Sequence, residues 1–249
     1  MRKTVPSMFL MTALLWLGPI RVPAQTESDA SNERVRVLRS VDVFRDLLSL
    51  PEKGIPPALL RQAQAIAIIP GYVKAAYVVG GEHGRGLIAV RRDDGSWSAP
   101  AFIEMTGGSL GFQIGFEKAD FILVFKDKRS VETIDQGKFT LGGSASVAAG
   151  PVGRSARATT DIKFEAEVYS YSRSKGIFAG ISLNGAALKM DKEANERFYQ
   201  RPAITVDEIL NKEPGAPKEA QELRQESHPD YFKGGSTVVS VLCVREATW

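Results

Sequence analysis

Between Gly137 and Met190 the chain reads as short β-forming runs broken by glycine and other small residues: GKFTLGGSASVAAGPVGRSARATTDIKFEAEVYSYSRSKGIFAGISLNGAALKM. No other stretch restricts the fold as much. Lys138–Leu141 alternates loosely until Gly142 and Gly143 break it, and Ser144–Ala149 carries almost no bulk. Phe164, Ala166, Val168, Tyr169 and Tyr171 resume the β-forming character, and Ile177–Leu183 is an apolar run with Gly180 inside it. Glycine within a strand marks a bulge, a sharp bend, or a place where another backbone comes close. No apolar stripe of helical period fits. The stretch predicts a bent, closely packed antiparallel sheet, in which Gly150, Gly153 and Gly180 resist substitution.

Upstream, Ser31–Leu50 predicts an amphipathic helix. Val37, Val41, Phe44 and Leu48 fall at i, i+4, i+7 and i+11 on one face, and Leu38 and Leu47 widen it. Ser31 serves as N-cap and Pro51 ends the pattern. Arg34 and Arg45 fall on one flank of the stripe and Arg36 on the other. Two readings stay open. The stripe packs on the protein's own sheet, or it enters acyl chains while the arginines reach phosphates.

Pro56–Gln64 predicts a short second helix. Tyr72–Gly80 and Gly86–Arg91 predict strands around a loop, Gly81-Glu82-His83-Gly84-Arg85. Asp94-Gly95 is a hairpin turn signal. Phe121–Phe125 is a strand, Ser130–Asp135 a helical turn, and Asp191 caps a helix through Tyr199. Residues 201–225, with Pro202, Pro214 and Pro217, read as linker with short helices, and Ser236–Val244 as a final strand.

Arg2 and Lys3 precede the apolar run Val5–Leu17, and Val22-Pro23-Ala24 offers small residues for cleavage. Residues 1–24 therefore read as a secretory signal peptide, with an uncleaved anchor as the rival. They hold three bases, Arg2, Lys3 and Arg21, and no acid, so of 32 bases and 29 acids in the chain the remainder carries 29 of each. Bulk attraction to nucleic acid or anionic lipid is not supported. Cys243 is the single cysteine, so no internal disulfide forms. It reads as a small buried hydrophobe or a site of intermolecular pairing.

Gly107-Gly108-Ser109-Leu110-Gly111 satisfies G-x-S-x-G, but no helix pattern follows it, and a glycine-bent strand explains it as well. The Gly81–Gly86 loop could cradle a phosphate or simply turn a hairpin. With two histidines and one cysteine, no metal site and no cofactor are expected.

AAGPVGRSARATTD (Ala148–Asp161) and YSYSRSKGIFAGISLNG (Tyr169–Gly185) resemble the signature of the SYLF domain family. IPPALLRQAQAIAIIPG (Ile55–Gly71), GRGLIAVRRDDGSWSAPAF (Gly84–Phe102) and GGSLGFQIG (Gly107–Gly115) are similar to it too. The resemblance runs from about Ser31 to Tyr199. That family includes eukaryotic phosphoinositide- and actin-binding proteins and exported bacterial ones. The resemblance implies a lipid-binding module and carries over no catalytic residue.

The expected architecture is a compact α+β domain with a bent, mainly antiparallel, glycine-rich sheet packed with a few helices. Closure of the sheet into a barrel is left open. The expected organisation is a signal peptide over 1–24, a SYLF-like domain over 25–200, and a linker with C-terminal extension over 201–249. The expected function is an exported, non-catalytic lipid-binding protein of the bacterial envelope, periplasmic or envelope-associated, meeting lipid or a membrane surface and no nucleic acid. Its expected lipid contacts are Arg34, Val37, Val41, Phe44, Arg45, Leu48, Arg85, Arg154, Arg157 and Arg173. The alternative is an envelope scaffold that binds a protein partner through residues 201–249. A remote third is a serine ester hydrolase using Ser109.

Overall fold

The computed structural model describes residues 26–48, 54–76, 79–110, 115–152, 164–174, 177–181 and 183–212. The signal peptide expected over residues 1–24, Arg154, Arg157, Gly153, Cys243 and the strand expected over Ser236–Val244 lie outside those residues. Helix α1 (Thr26–Leu48) and helix α2 (Pro57–Gln62) precede four long strands: β1 (Ala65–Ala76), β2 (Val79–Val90), β3 (Ala101–Leu110) and β4 (Gly115–Phe125). Then come α3 (Arg129–Asp135), β5 (Phe139–Thr140), β6 (Val147–Ala149), β7 (Val168–Ser174), β8 (Ile177–Gly180) and β9 (Ala187–Met190). Helices α4 (Lys192–Tyr199) and α5 (Val206–Asn211) follow. α5 starts on a capping box between Thr205 and Glu208.

Among the described residues the strands form one sheet in the order β5-β9-β3-β2-β1-β4-β7-β6, with β8 also pairing β7. Every pair is antiparallel except β6 with β7. The glycine-rich stretch is thus divided between both ends of the sheet. That division forces curvature. Eight strands laid flat at about 4.8 Å spacing would hold their ends about 34 Å apart. Yet only residues 141–146 join β5 to β6, and seven residue steps reach at most about 24 Å. The sheet curls, and Phe125 of β4 meets Phe139 of β5 at 5.9 Å between ring centroids.

Both faces are covered. Ala65, Ala67 and Ile69 of β1 point into the curl with Ile103, Leu123, Phe125, Phe139 and Leu188, and α3 and α5 close that core with Ile134 and Ile209. Ile66 and Ile68 point outward with Ile122 and Val124, under Val41, Phe44 and Leu47 of α1 and Leu59 of α2. This double burial explains the unbroken apolar run at Ala65–Ile69.

Two local expectations are corrected. Ser31 does not start α1; the helix begins five residues earlier, at Thr26. Gly81–Gly86 is not a loop. β2 runs straight through it, paired with β1 and β3, and none of its glycines has positive φ. A Cβ on Gly86 would sit 2.1 Å from the Ile68 carbonyl oxygen, so close strand approach, not a turn, requires glycine there.

Candidate binding cleft

The site begins with a defect in β1. Its register shifts by one residue against β2 between Ile68 and Val73, and against β4 between Ile69 and Tyr72. The extra residue falls at Pro70-Gly71. Proline offers no donor to the ladder, and Gly71 adopts φ +63. The freed Gly71 N–H donates to Asp120 Oδ1 at 2.8 Å. Asp120 Oδ2 accepts from Arg173 Nε at 2.8 Å, and Arg173 also reaches Asp46 of α1. Burial works against the Arg173 charge, but Asp120 and Asp46 outweigh it and hold its pKa above the usual value.

Beyond the bulge, the β1–β2 hairpin and the first half of α1 enclose a cleft of about 560 Å³. Asn32, Val35, Arg36 and Arg39 form the helix wall; Pro70, Gly71, Val73, Gly81, His83, Gly84 and Arg85 form the sheet wall. Three arginines and one histidine line it, and no carboxylate does. Lys118 stands opposite Val73, as does His83, so the three side chains make one cross-strand row.

The cations differ in how firmly they are held. Arg36 is fixed: Nη1 donates to Asp191 Oδ2 at 3.2 Å, and the guanidinium lies 5.2 Å from the Phe102 ring centroid. Asp191 in turn caps α4 by accepting from Ala194 N–H at 3.0 Å. Glu33, 1% exposed, accepts from Arg197 Nη2 at 2.9 Å and completes the clasp of α1 on α4. Arg85 keeps one contact, Nε to Glu104 Oε1 at 3.4 Å, while Lys189 holds the other oxygen at 3.1 Å. Arg39 is exposed and makes no hydrogen bond or ion pair among the described residues.

Of the expected lipid contacts among the described residues, Arg85 alone lines the cleft. Val37, Val41 and Phe44 are buried, Phe44 fully. Leu48 ends α1, and its side chain lies outside the described residues, as do Arg154 and Arg157. Arg34 is half-buried on α1 away from the lining; Arg45 pairs with Asp42 at 3.3 Å. Arg173 belongs to the Asp120 network. Arg39, His83 and Lys118 were missed as site residues. The i, i+3, i+4, i+7 spacing of Asn32, Val35, Arg36 and Arg39 is the signal that marks their shared face. Ser109 lies within β3 opposite Gly80, not at a strand-to-helix turn.

A family described as "Las17-binding protein actin regulator" (Ysc84) matches residues 106–228. The chain is 40% identical over 203 residues to SH3 domain-containing YSC84-like protein 1 of Xenopus laevis, covering 81% of this chain and 60% of that one. It is 38% identical over 181 residues to Protein YSC84 of Saccharomyces cerevisiae, covering 72% and 38%. It is 43% identical over 151 residues to LAS seventeen-binding protein 3 of the same yeast, covering 59% and 33%. The chain therefore spans between one third and three fifths of these relatives' own lengths.

These similarities overturn the reading of an exported lipid-binding protein of the bacterial envelope. The relatives are eukaryotic, and their names speak of SH3 domains and Las17 binding rather than lipid. The periplasmic destination falls with it, because frog and yeast cells have no bacterial envelope.

Proposed function

This chain belongs to the Ysc84 (SYLF) domain family, and on that premise we propose that it is a protein-binding module serving actin regulation. The observation that carries the reading is its 40% identity over 203 residues to a YSC84-like protein, within a family described by Las17 binding and actin regulation. The relatives are longer than the stretch they share with this chain, and their names do not say which part binds. The partner is accordingly part of the proposal.

The geometry supports binding rather than turnover. The cleft is open and lined by arginine, valine, proline and glycine. The one motif that suggested a nucleophile sits in a paired strand. A protein partner, the alternative drawn from the sequence, is kept, and we propose the cleft as its site in place of residues 201–249. The test is co-sedimentation of the purified chain with actin filaments, alongside retention on immobilised Las17. Pelleting with filaments or retention on Las17 is expected. A chain that stays soluble and unretained in both assays overturns the reading.

A further inference from the structure

We propose that the cleft between α1 and the β1–β2 hairpin takes an acidic peptide segment that carries an apolar side chain. The inference gives the chemistry of the partner and rests on the protein-binding reading above.

Charge selects the sign. Several surface cations elsewhere are matched locally: Arg45 by Asp42, Lys128 by Asp93, Arg129 by Asp127 and Lys212 by Asp207. In the cleft, Arg36, Arg39, His83 and Arg85 face one another with no acid in the lining, and Arg39 is without a partner among the described residues. The lining thus presents cations and no anion: Arg36 is answered by Asp191 and Arg85 by Glu104 from outside it, and Arg39 by no acid among the described residues.

Mobility of the forks selects the chemistry. Arg39 is unrestrained on the helix wall. Arg85, on the sheet wall, can leave Glu104 without orphaning it, because Lys189 remains at 3.1 Å. Two guanidinium groups on opposite walls can therefore turn to grip carboxylates in pairs of hydrogen bonds. Arg36, tied to Asp191, sets the floor potential without moving.

Shape and polarity select a peptide. Val35 is 44% exposed, one of three large hydrophobics so exposed among the described residues, and it faces Pro70 and Val73 across the cleft. About 560 Å³ suits a short segment laying one apolar side chain between the walls, not a folded domain.

The test uses the full chain and a fluorescently labelled peptide of alternating Glu and Leu, with a Gln/Leu peptide as control. The acidic peptide is expected to bind, to weaken with salt, and to lose about tenfold or more in affinity against Arg39→Glu/Arg85→Glu. Both altered side chains face solvent, and circular dichroism checks the fold. Magnetic resonance mapping on the unaltered chain gives an independent readout, with shifts expected at Asn32–Arg39 and Gly81–Arg85. Absent binding, equal binding of the Gln/Leu peptide, undiminished affinity in the double variant, or shifts confined to other surfaces would each overturn the inference. Filament or Las17 binding that survives the double variant sinks the cleft but leaves the protein-binding function standing. Peptide binding through Arg39 and Arg85, without binding to filaments or Las17, does the reverse.

Discussion

Gly180→Ala should destabilise the fold through one contact. A Cβ on Gly180 would lie 2.0 Å from the Gly150 carbonyl oxygen and 2.9 Å from the Gly150 nitrogen. Non-bonded heavy atoms settle at about 3.5 Å, so β8 must retreat from Gly150 by more than about 1 Å. It cannot do so freely, because residues Ile177–Gly180 are paired to β7 along Tyr171–Ser174. Overpacking of this kind costs about 1–3 kcal/mol. Alanine also stiffens the unfolded chain, which returns about 0.4–1 kcal/mol. The steric cost wins, with a net loss of about 1–2 kcal/mol and a Tm lower by roughly 2–8 °C for a domain of this size. Gly150→Ala should fall the same way, since its Cβ would lie 2.1 Å from Cζ of the fully buried Tyr171 ring. Gly81→Ala is the control: no atom lies within 4 Å of the added carbon, and its φ is ordinary. Thermal melts by circular dichroism decide the matter. A Gly180→Ala protein that melts with wild type, or with Gly81→Ala, refutes the reasoning.

Phe44→Asp should unfold the domain: truncating a buried phenylalanine costs about 3–5 kcal/mol, Phe44 is fully buried, and a carboxylate there lacks a partner. A native far-ultraviolet spectrum and a cooperative melt in this variant would count against the packing of α1. Burial, and for Tyr72 also Glu82, pushes the Tyr72 and Tyr171 phenols above their ordinary value of 10.0. Their folded pKa exceeds the unfolded one, so their contribution is whole below pH 10 and declines as pH rises beyond it. Tm should fall on the alkaline side of that value, and less steeply in Tyr72→Phe/Tyr171→Phe; identical slopes would remove these phenols as the cause.

Periodicity carried the elements whose partners are near in sequence. Asp94-Gly95 turns as expected, with Gly95 at φ +82 and Asp94 Oδ1 accepting from Ser96 N–H at 2.8 Å. Asp191 caps α4 as its position before Lys192 suggested. What eluded the sequence was set by pairing at a distance. Gly81–Gly86 has the composition of a loop, and only the neighbouring backbone at Ile68 shows why a strand wants glycine there. β9 is four residues long, with Leu188 and Met190 buried and Lys189 exposed, too short an alternation to stand out. The cleft depends on the bulge at Pro70-Gly71, which reads in sequence as the end of a strand. Its continuation on the far side becomes visible only through Val73 facing both His83 and Lys118.

The stripe on α1 also limits what the helix can do. Val37, Val41, Val43, Phe44 and Leu47 are each no more than 6% exposed. At about 1.5–3 kcal/mol for each buried side chain, releasing them would cost roughly 8 kcal/mol at the least. That is comparable to the whole stability of an ordinary domain, about 5–15 kcal/mol. The apolar face is therefore committed to the fold, and recognition has to use the circumference that remains. Glu33 and Arg36 are engaged with α4. What is left facing the hairpin is Asn32, Val35 and Arg39, one turn apart and set against a wall that the β1 bulge holds open. The helix thus supplies stability with one face and half of the cleft with the next, and a single register shift in β1 provides the other half.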